Sequence, residues 1–313
     1  MEKEEIKRNT GKRALVLLIA FFMLALLTMY WIFPTNSVNF NFKSPTTSNF
    51  SQSLEKEMQF YHNMRFESPN ITYEIENKCS LQKRQDMRQA FDIIENLTIL
   101  DFSFSDEGMI QVYCEKKSDQ EPTEKGFFIA GEGGPVNVTI GKYFNVIHGG
   151  EIILIKDSDC ERPNVAIHEL LHVLGFDHSE NENNIMYPVS KCKQIIGEDM
   201  INKINEIYSY PSLPDLEFDS ASAQMKGRVL DLNLTIRNEG LVDAGEFEII
   251  VYGDGKEIKR IQSEGIGVGY AQKITITNNI ITRLKINSMA FSIQTNYEEI
   301  NKDNNEIALD LIE

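Results

Sequence analysis

Basic residues are scarce in this 313-residue chain, where 31 Lys and Arg stand against 47 Asp and Glu for a formal charge of −16. A phosphate backbone needs clustered cations, so this balance excludes a nucleic-acid partner. Cysteine is sparse too, with 4 residues and no CxxC-type spacing, which argues against a thiolate metal site. Histidine is rarer still for the length, at 5 residues, so any clustering of imidazoles carries information. What the chain has is 42% hydrophobic content, enough to bury at least one full core, and a length that fits one or two domains with accessory segments.

The first feature is an apolar run from Ala14 to Phe33 in which Thr28 is the most polar side chain. At about 1.5 Å per residue it reaches across a hydrocarbon core of roughly 30 Å. Lys3, Lys7, Arg8, Lys12 and Arg13 precede it, whereas the twenty residues after it hold only Lys43. That asymmetry predicts a cytoplasmic tail over 1–13, a single transmembrane helix over 14–33, and everything beyond on the extracellular side of the cell membrane. The competing reading is a cleaved signal peptide. Such apolar regions usually run about 7 to 15 residues and end at a small-residue site, which is not found here. Residues 34–53, rich in Ser, Thr and Asn, read as a polar stalk.

Cys79, Cys114, Cys160 and Cys192 all follow the anchor, where disulfides can persist. Three pairings are possible, with free buried thiols as the alternative. The favoured set joins Cys79 to Cys114 and Cys160 to Cys192, because the second pair brackets the stretch richest in metal-binding side chains.

Periodicity predicts a strand at Ile71 to Ile75 and a helix from about Leu81 to Asn96, with Met87, Ala90, Phe91 and Ile94 on one face. Further strands are expected near Met109 to Cys114, Phe127 to Ala130, Val136 to Ile140 and Glu151 to Ile155, separated by turns at Gly131 to Pro135 and Gly149-Gly150. A helix should begin near Pro163 and stop at Gly175, and a third should cover Glu198 to Tyr208. This order predicts an α+β domain over 54–210. After the prolines of 211–214 the pattern changes: Leu230, Leu232, Leu234 and Ile236 alternate with polar residues, and similar short strands follow. Residues 211–313 therefore read as an all-β, immunoglobulin-like sandwich.

The chemistry gathers at His168-Glu169-Leu170-Leu171-His172-Val173-Leu174-Gly175-Phe176-Asp177-His178. On a helix His168 and His172 share a face, where two imidazoles can hold one ion. Gly175 lets the chain leave the helix and swing His178 back to the same ion. Three imidazoles leave a fourth position for water, the arrangement of a catalytic zinc, and Glu169 is placed to act as its general base. The bland reading is a set of solvated or packed histidines on an ordinary amphipathic helix.

HExxHxxGxxH is the signature of the metzincin metallopeptidases, which this stretch resembles, and Asn184-Ile185-Met186-Tyr187-Pro188 is similar to their Met-turn. The His178-Ser179 pair and the helix ending Ile207-Tyr208 are closest to the matrixin branch. The resemblance implies a zincin-like catalytic domain, one catalytic Zn2+ on His168, His172 and His178, Met186 beneath them, and hydrolysis of peptide bonds in protein substrates. It also implies a substrate-pairing cleft edge at Val136 to Ile140 and a pocket wall from Tyr187, Pro188, Val189 and Ser190. Matrixins commonly have Tyr where this chain has Ser190, and no PRCGxPD-like inhibitory segment lies upstream. A structural Ca2+ is possible, but no residue pattern indicates one.

The C-terminal region resembles CARDB-type adhesion sandwiches at Pro214-Asp215-Leu216, at Asn238-Glu239-Gly240 and from Glu298 to Asn305. That resemblance implies a spacer or a module binding a cell-surface polymer. The reading of a different class is a surface adhesion or recognition protein whose zinc site is structural or degenerate. Retention of Glu169 stands against it, because a structural site needs no base there.

Overall fold

The computed structural model describes residues 15–29, 37–42, 58–115, 129–157, 160–283 and 285–312. Residues 15–29 form helix α1, with exposed side chains. Among the described residues no helix is long and apolar enough to cross a membrane. The rest of the expected span, residue 14 and residues 30–33, lies outside them, as does the expected tail over 1–13.

The stalk expectation is corrected over its described part. Ser37–Asn41 forms strand β1, paired antiparallel with strands of the C-terminal region on both sides. Phe40 is 1% exposed in the core there, so a sequence poor in apolar residues is nevertheless anchored by one of them. Residues 34–36 and 43–53 lie outside the described residues.

The first unit contains β2 (Met64–Phe66), β3 (Asn70–Ile75), α2 (Leu81–Leu97), β4 (Asp101–Phe104), β5 (Ile110–Cys114), β6 (Gly131–Ile140), β7 (Asn145–Leu154), α3 (Asn164–Val173) and α4 (Glu198–Tyr208). Strands β7, β5, β3 and β4 pair in parallel in that order, β2 pairs in parallel with the start of β7, and β6 runs antiparallel along the other side of β7. Among the described residues one side of β6 is thus left as a sheet edge. Helices α2 and α3 pack on each other and on this sheet, burying Met87, Phe91 and Ile94 of α2 with Ile167, Leu170 and Leu171 of α3. Ser80 caps α2, its Oγ accepting the Lys83 N–H at 3.2 Å. The architecture is α+β.

Two expected turns are corrected. Gly131 to Pro135 is the first half of β6, and Gly149-Gly150 lies inside β7. Gly131, Gly133 and Gly150 serve close approach rather than chain reversal. A Cβ on Gly133 would stand 2.4 Å from the Glu169 carbonyl oxygen, and one on Gly150 would stand 2.3 Å from Val173 Cγ1. The strand expected at Phe127 to Ala130 is not seen at 129–130, and 127–128 lie outside the described residues.

The C-terminal strands are β8 (Leu216–Lys226), β9 (Val229–Asn238), β10 (Phe247–Gly253), β11 (Lys256–Ser263), β12 (Ala271–Ile280), β13 (Met289–Gln294) and β14 (Glu306–Ile312). All pair antiparallel in the order β11-β10-β13-β14-β1-β8-β9-β12. In a flat sheet β13 and β8 would lie about 14 Å apart. Their Phe291 and Phe218 rings are 6.2 Å apart, so the sheet folds over on itself as a sandwich with one core. That core includes β1, and Phe40→Ala should lower the unfolding free energy of the sandwich by about 3 to 5 kcal/mol. Thermal or urea denaturation of the full chain measures it. A loss under about 1 kcal/mol would mean that β1 is not seated there in solution.

Candidate metal centre

Helix α3 is apolar almost all round, which suits a buried helix, and its start is set by Pro163. Its end is a Schellman turn: the Phe176 N–H donates to the Leu171 carbonyl at 3.0 Å and the Gly175 N–H to that of His172 at 2.9 Å. Gly175 has φ +92°, where a side chain is strained, and its missing Cβ also spares Met64. The reversal brings His178 back to the face that carries His168 and His172.

The result is a convergence of imidazole nitrogens. His172 Nε2 lies 3.0 Å from His168 Nε2 and 3.2 Å from His178 Nε2. His168 Nδ1 is 2.7 Å from the Ile185 carbonyl oxygen and His172 Nδ1 is 2.8 Å from that of Phe176. Each carbonyl can only accept, so the ring protons sit on Nδ1 and bare Nε2 lone pairs point at one another. Burial drives the His168 pKa down to about 4 and lowers that of His172 as well, which keeps both rings neutral. Lone pairs at this spacing repel unless a cation sits among them. Tetrahedral zinc at 2.0–2.1 Å would set its nitrogens about 3.3 Å apart, so the donor set fits zinc.

Glu169 is 6% exposed, beside the triad and beneath Gly131 and Gly133. Burial, and then the neighbouring Glu132, push its carboxyl up to about 8. A divalent cation at the triad would pull in the opposite direction. Met186 is buried 1% exposed in the turn after the triad, its carbonyl accepting the Ser179 N–H at 2.9 Å, while Ile185 steers His168. A cavity of about 200 Å³ touches His178, Met186, Asn184 and Asp199, but Glu169 does not line it.

With this geometry in place, the comparison with known families is decisive: the matrixin family profile, of the peptidase M10 type, matches residues 65–209. Over that segment the chain is similar to matrixins. Matrixins are zinc metallopeptidases, in keeping with the donor set. Among solved structures, the CARDB domain of the PF1109 protein from Pyrococcus furiosus, in complex with di-metal ions, shares 16% identity over 31% of this chain and 84% of that one, with a TM-score of 0.24. So slight a likeness does not bear on the C-terminal residues, whose sandwich rests on the strand pairing above.

Other residues of this segment take defined places. Tyr187 and Val189 are half-buried and Pro188 and Ser190 exposed, on a loop held by Gln194, whose side chain binds the Lys191 N–H at 2.8 Å and the Val189 carbonyl at 2.9 Å. Asn164, the first residue of α3, donates to the Lys191 carbonyl at 2.7 Å, and a Cys160–Cys192 disulfide closes the same region. The second disulfide, Cys79–Cys114, ties the loop before α2 to the end of β5, away from the triad. Gly131 and Gly133 lie against Glu169, in the same strand as Val136 to Ile140 and upstream of them.

Sequence reasoning missed several of these residues. Gly131 and Gly133 could have been suspected from glycines spaced by two, which mark one face of a strand as well as a turn. Phe60, whose ring stacks on His172 at 5.7 Å between centroids, left no local signal.

Proposed function

We propose that this chain is a membrane-anchored, extracellular zinc metalloendopeptidase that hydrolyses peptide bonds in proteins, with Glu169 as general base. The observation that carries the reading is a buried carboxylate next to three convergent imidazole nitrogens, under a glycine strand that leaves room for it. His168, His172 and His178 would hold the ion, oriented by the carbonyls of Ile185 and Phe176. Bound zinc would supply Lewis acidity, bringing the pKa of a water towards about 7 and drawing charge from a scissile carbonyl. Glu169 accepts a proton as water attacks the peptide carbon and returns it to the leaving amine. The edge of β6 offers backbone groups to an extended peptide, which fits hydrolysis inside a polypeptide chain. A purely structural metal site would have no use for a carboxylate kept buried at this cost.

The zinc-loaded full chain should cleave members of a fluorogenic peptide library, lose that activity to a chelator and regain it with zinc. Cleavage indifferent to chelation would sink the reading. The anchor rests on the apolar run of 14–33 and on the cations before it, and the two disulfides favour an oxidising exterior. The chain is expected in carbonate-washed membranes and to be released from them when residues 14–33 are deleted. Equal recovery in the soluble fraction with and without those residues would rule the anchor out.

A further inference from the structure

The β6–β7 hairpin joins the metal helix to the C-terminal sandwich. At its base Gly131 and Gly133 lie on Glu169 and Gly150 lies on Val173. Its turn is gripped by the sandwich. The Lys142 backbone N–H donates to Glu239 Oε2 at 2.6 Å, while Glu239 Oε1 pairs with Arg237 Nε at 3.3 Å. Lys142 Nζ reaches Glu217 Oε1 at 2.9 Å and Tyr143 Oη donates to Glu217 Oε2 at 3.2 Å. Beneath these, Phe144 and Val146 of the hairpin share a small apolar core with Leu241 and Val268 of the sandwich. Gly269 abuts the far end of β6, since a Cβ there would stand 2.2 Å from Thr139 Cγ2.

Among the described residues strand β6 has a paired neighbour on one side only, and its register shifts around Pro135 and Asn137. From Gly133 to the turn it runs about 26 Å. An edge strand of that length, paired to β7 alone and with its turn unheld, frays towards the turn, and a peptide that pairs with it must then order that end first. A strand already held at both ends spares that cost.

We propose that Glu239 is a positioning residue of the peptidase: by holding the hairpin turn, the sandwich keeps the free edge of β6 set for an extended substrate beside Glu169. The proposal rests on the peptidase reading above and gives the C-terminal sandwich a part in substrate binding. Glu239 is 7% exposed and lies at the turn, far along β6 from the metal ligands, so it acts through the hairpin and touches no reacting atom.

The test is steady-state cleavage of a peptide of about ten residues by the zinc-loaded full chain. Glu239→Ala should raise KM about 5- to 10-fold with kcat within about twofold and zinc content unchanged. Glu239→Gln keeps an oxygen to accept the Lys142 N–H and should hold KM within about twofold of the parent. An unchanged KM in Glu239→Ala overturns the proposal. So does an equal rise in both variants, which would mark a merely structural role. If Glu239→Ala does not fold, Glu217→Ala, which frees Lys142 Nζ and Tyr143 Oη at the same turn, should raise KM by the same factor, and an unmoved KM there overturns the proposal equally. If the parent chain itself cleaves no peptide, the peptidase reading fails and this proposal with it, an outcome distinct from parent activity with an unmoved KM.

Discussion

Glu169→Gln should lower kcat for peptide cleavage by about a thousandfold, the range lost when a positioned general base is removed. Gln is close in shape to Glu, so Gly131 and Gly133 can still lie on it and β6 need not move. Zinc should still bind, because all three imidazoles and their carbonyl partners remain. The folded state should hold or gain stability, since a buried carboxyl with a raised pKa is replaced by a neutral amide. Metal content, thermal midpoint and kcat measured on one preparation separate these effects. Retention of more than about a tenth of the parent kcat with zinc bound would remove Glu169 from the mechanism.

His172→Ala should be more damaging to metal binding than any other single change. Its Nε2 is the nitrogen that stands close to both partners, at 3.0 and 3.2 Å. Loss of outer partners of a ligand typically costs 10- to 100-fold in metal affinity, so loss of a ligand itself is expected to exceed about a hundredfold. The readout is the thermal shift on adding zinc, which follows from preferential binding to the folded state. The parent chain should show it and His172→Ala should not, whereas Phe40→Ala, remote in the sandwich, should show it undiminished. A zinc-induced shift of equal size in His172→Ala would mean that the ion binds elsewhere.

The legible parts of this protein were those governed by short-range geometry. Met87, Ala90, Phe91 and Ile94 on one helical face and the alternation along Val229–Asn238 are set by periods of 3.6 and 2 within a few residues. The histidines belong to the same class. Four residues on a helix put His168 beside His172, and a glycine at the helix end returns His178. The illegible parts were long-range. Gly131, Gly133 and Gly150 look like turns because glycine is commonest there, yet they lie in strands where a helix comes too near for a side chain. Ser37–Asn41 looks like a tether because most of its residues are polar, yet one Phe and two strand partners more than 180 residues away place it in a core.

By itself the sequence determined the donor set: which atoms could hold an ion, and which carboxylate stands next to them. The tertiary structure alone decided what surrounds that set: the carbonyls of Ile185 and Phe176 that orient two of the rings, the strand lying over Glu169, and the grip of Glu239 on the hairpin. The reason is physical. Ligand spacing is a property of a single turn of helix, whereas burial, ring orientation and strand position depend on which distant segments meet, and no local pattern encodes that meeting.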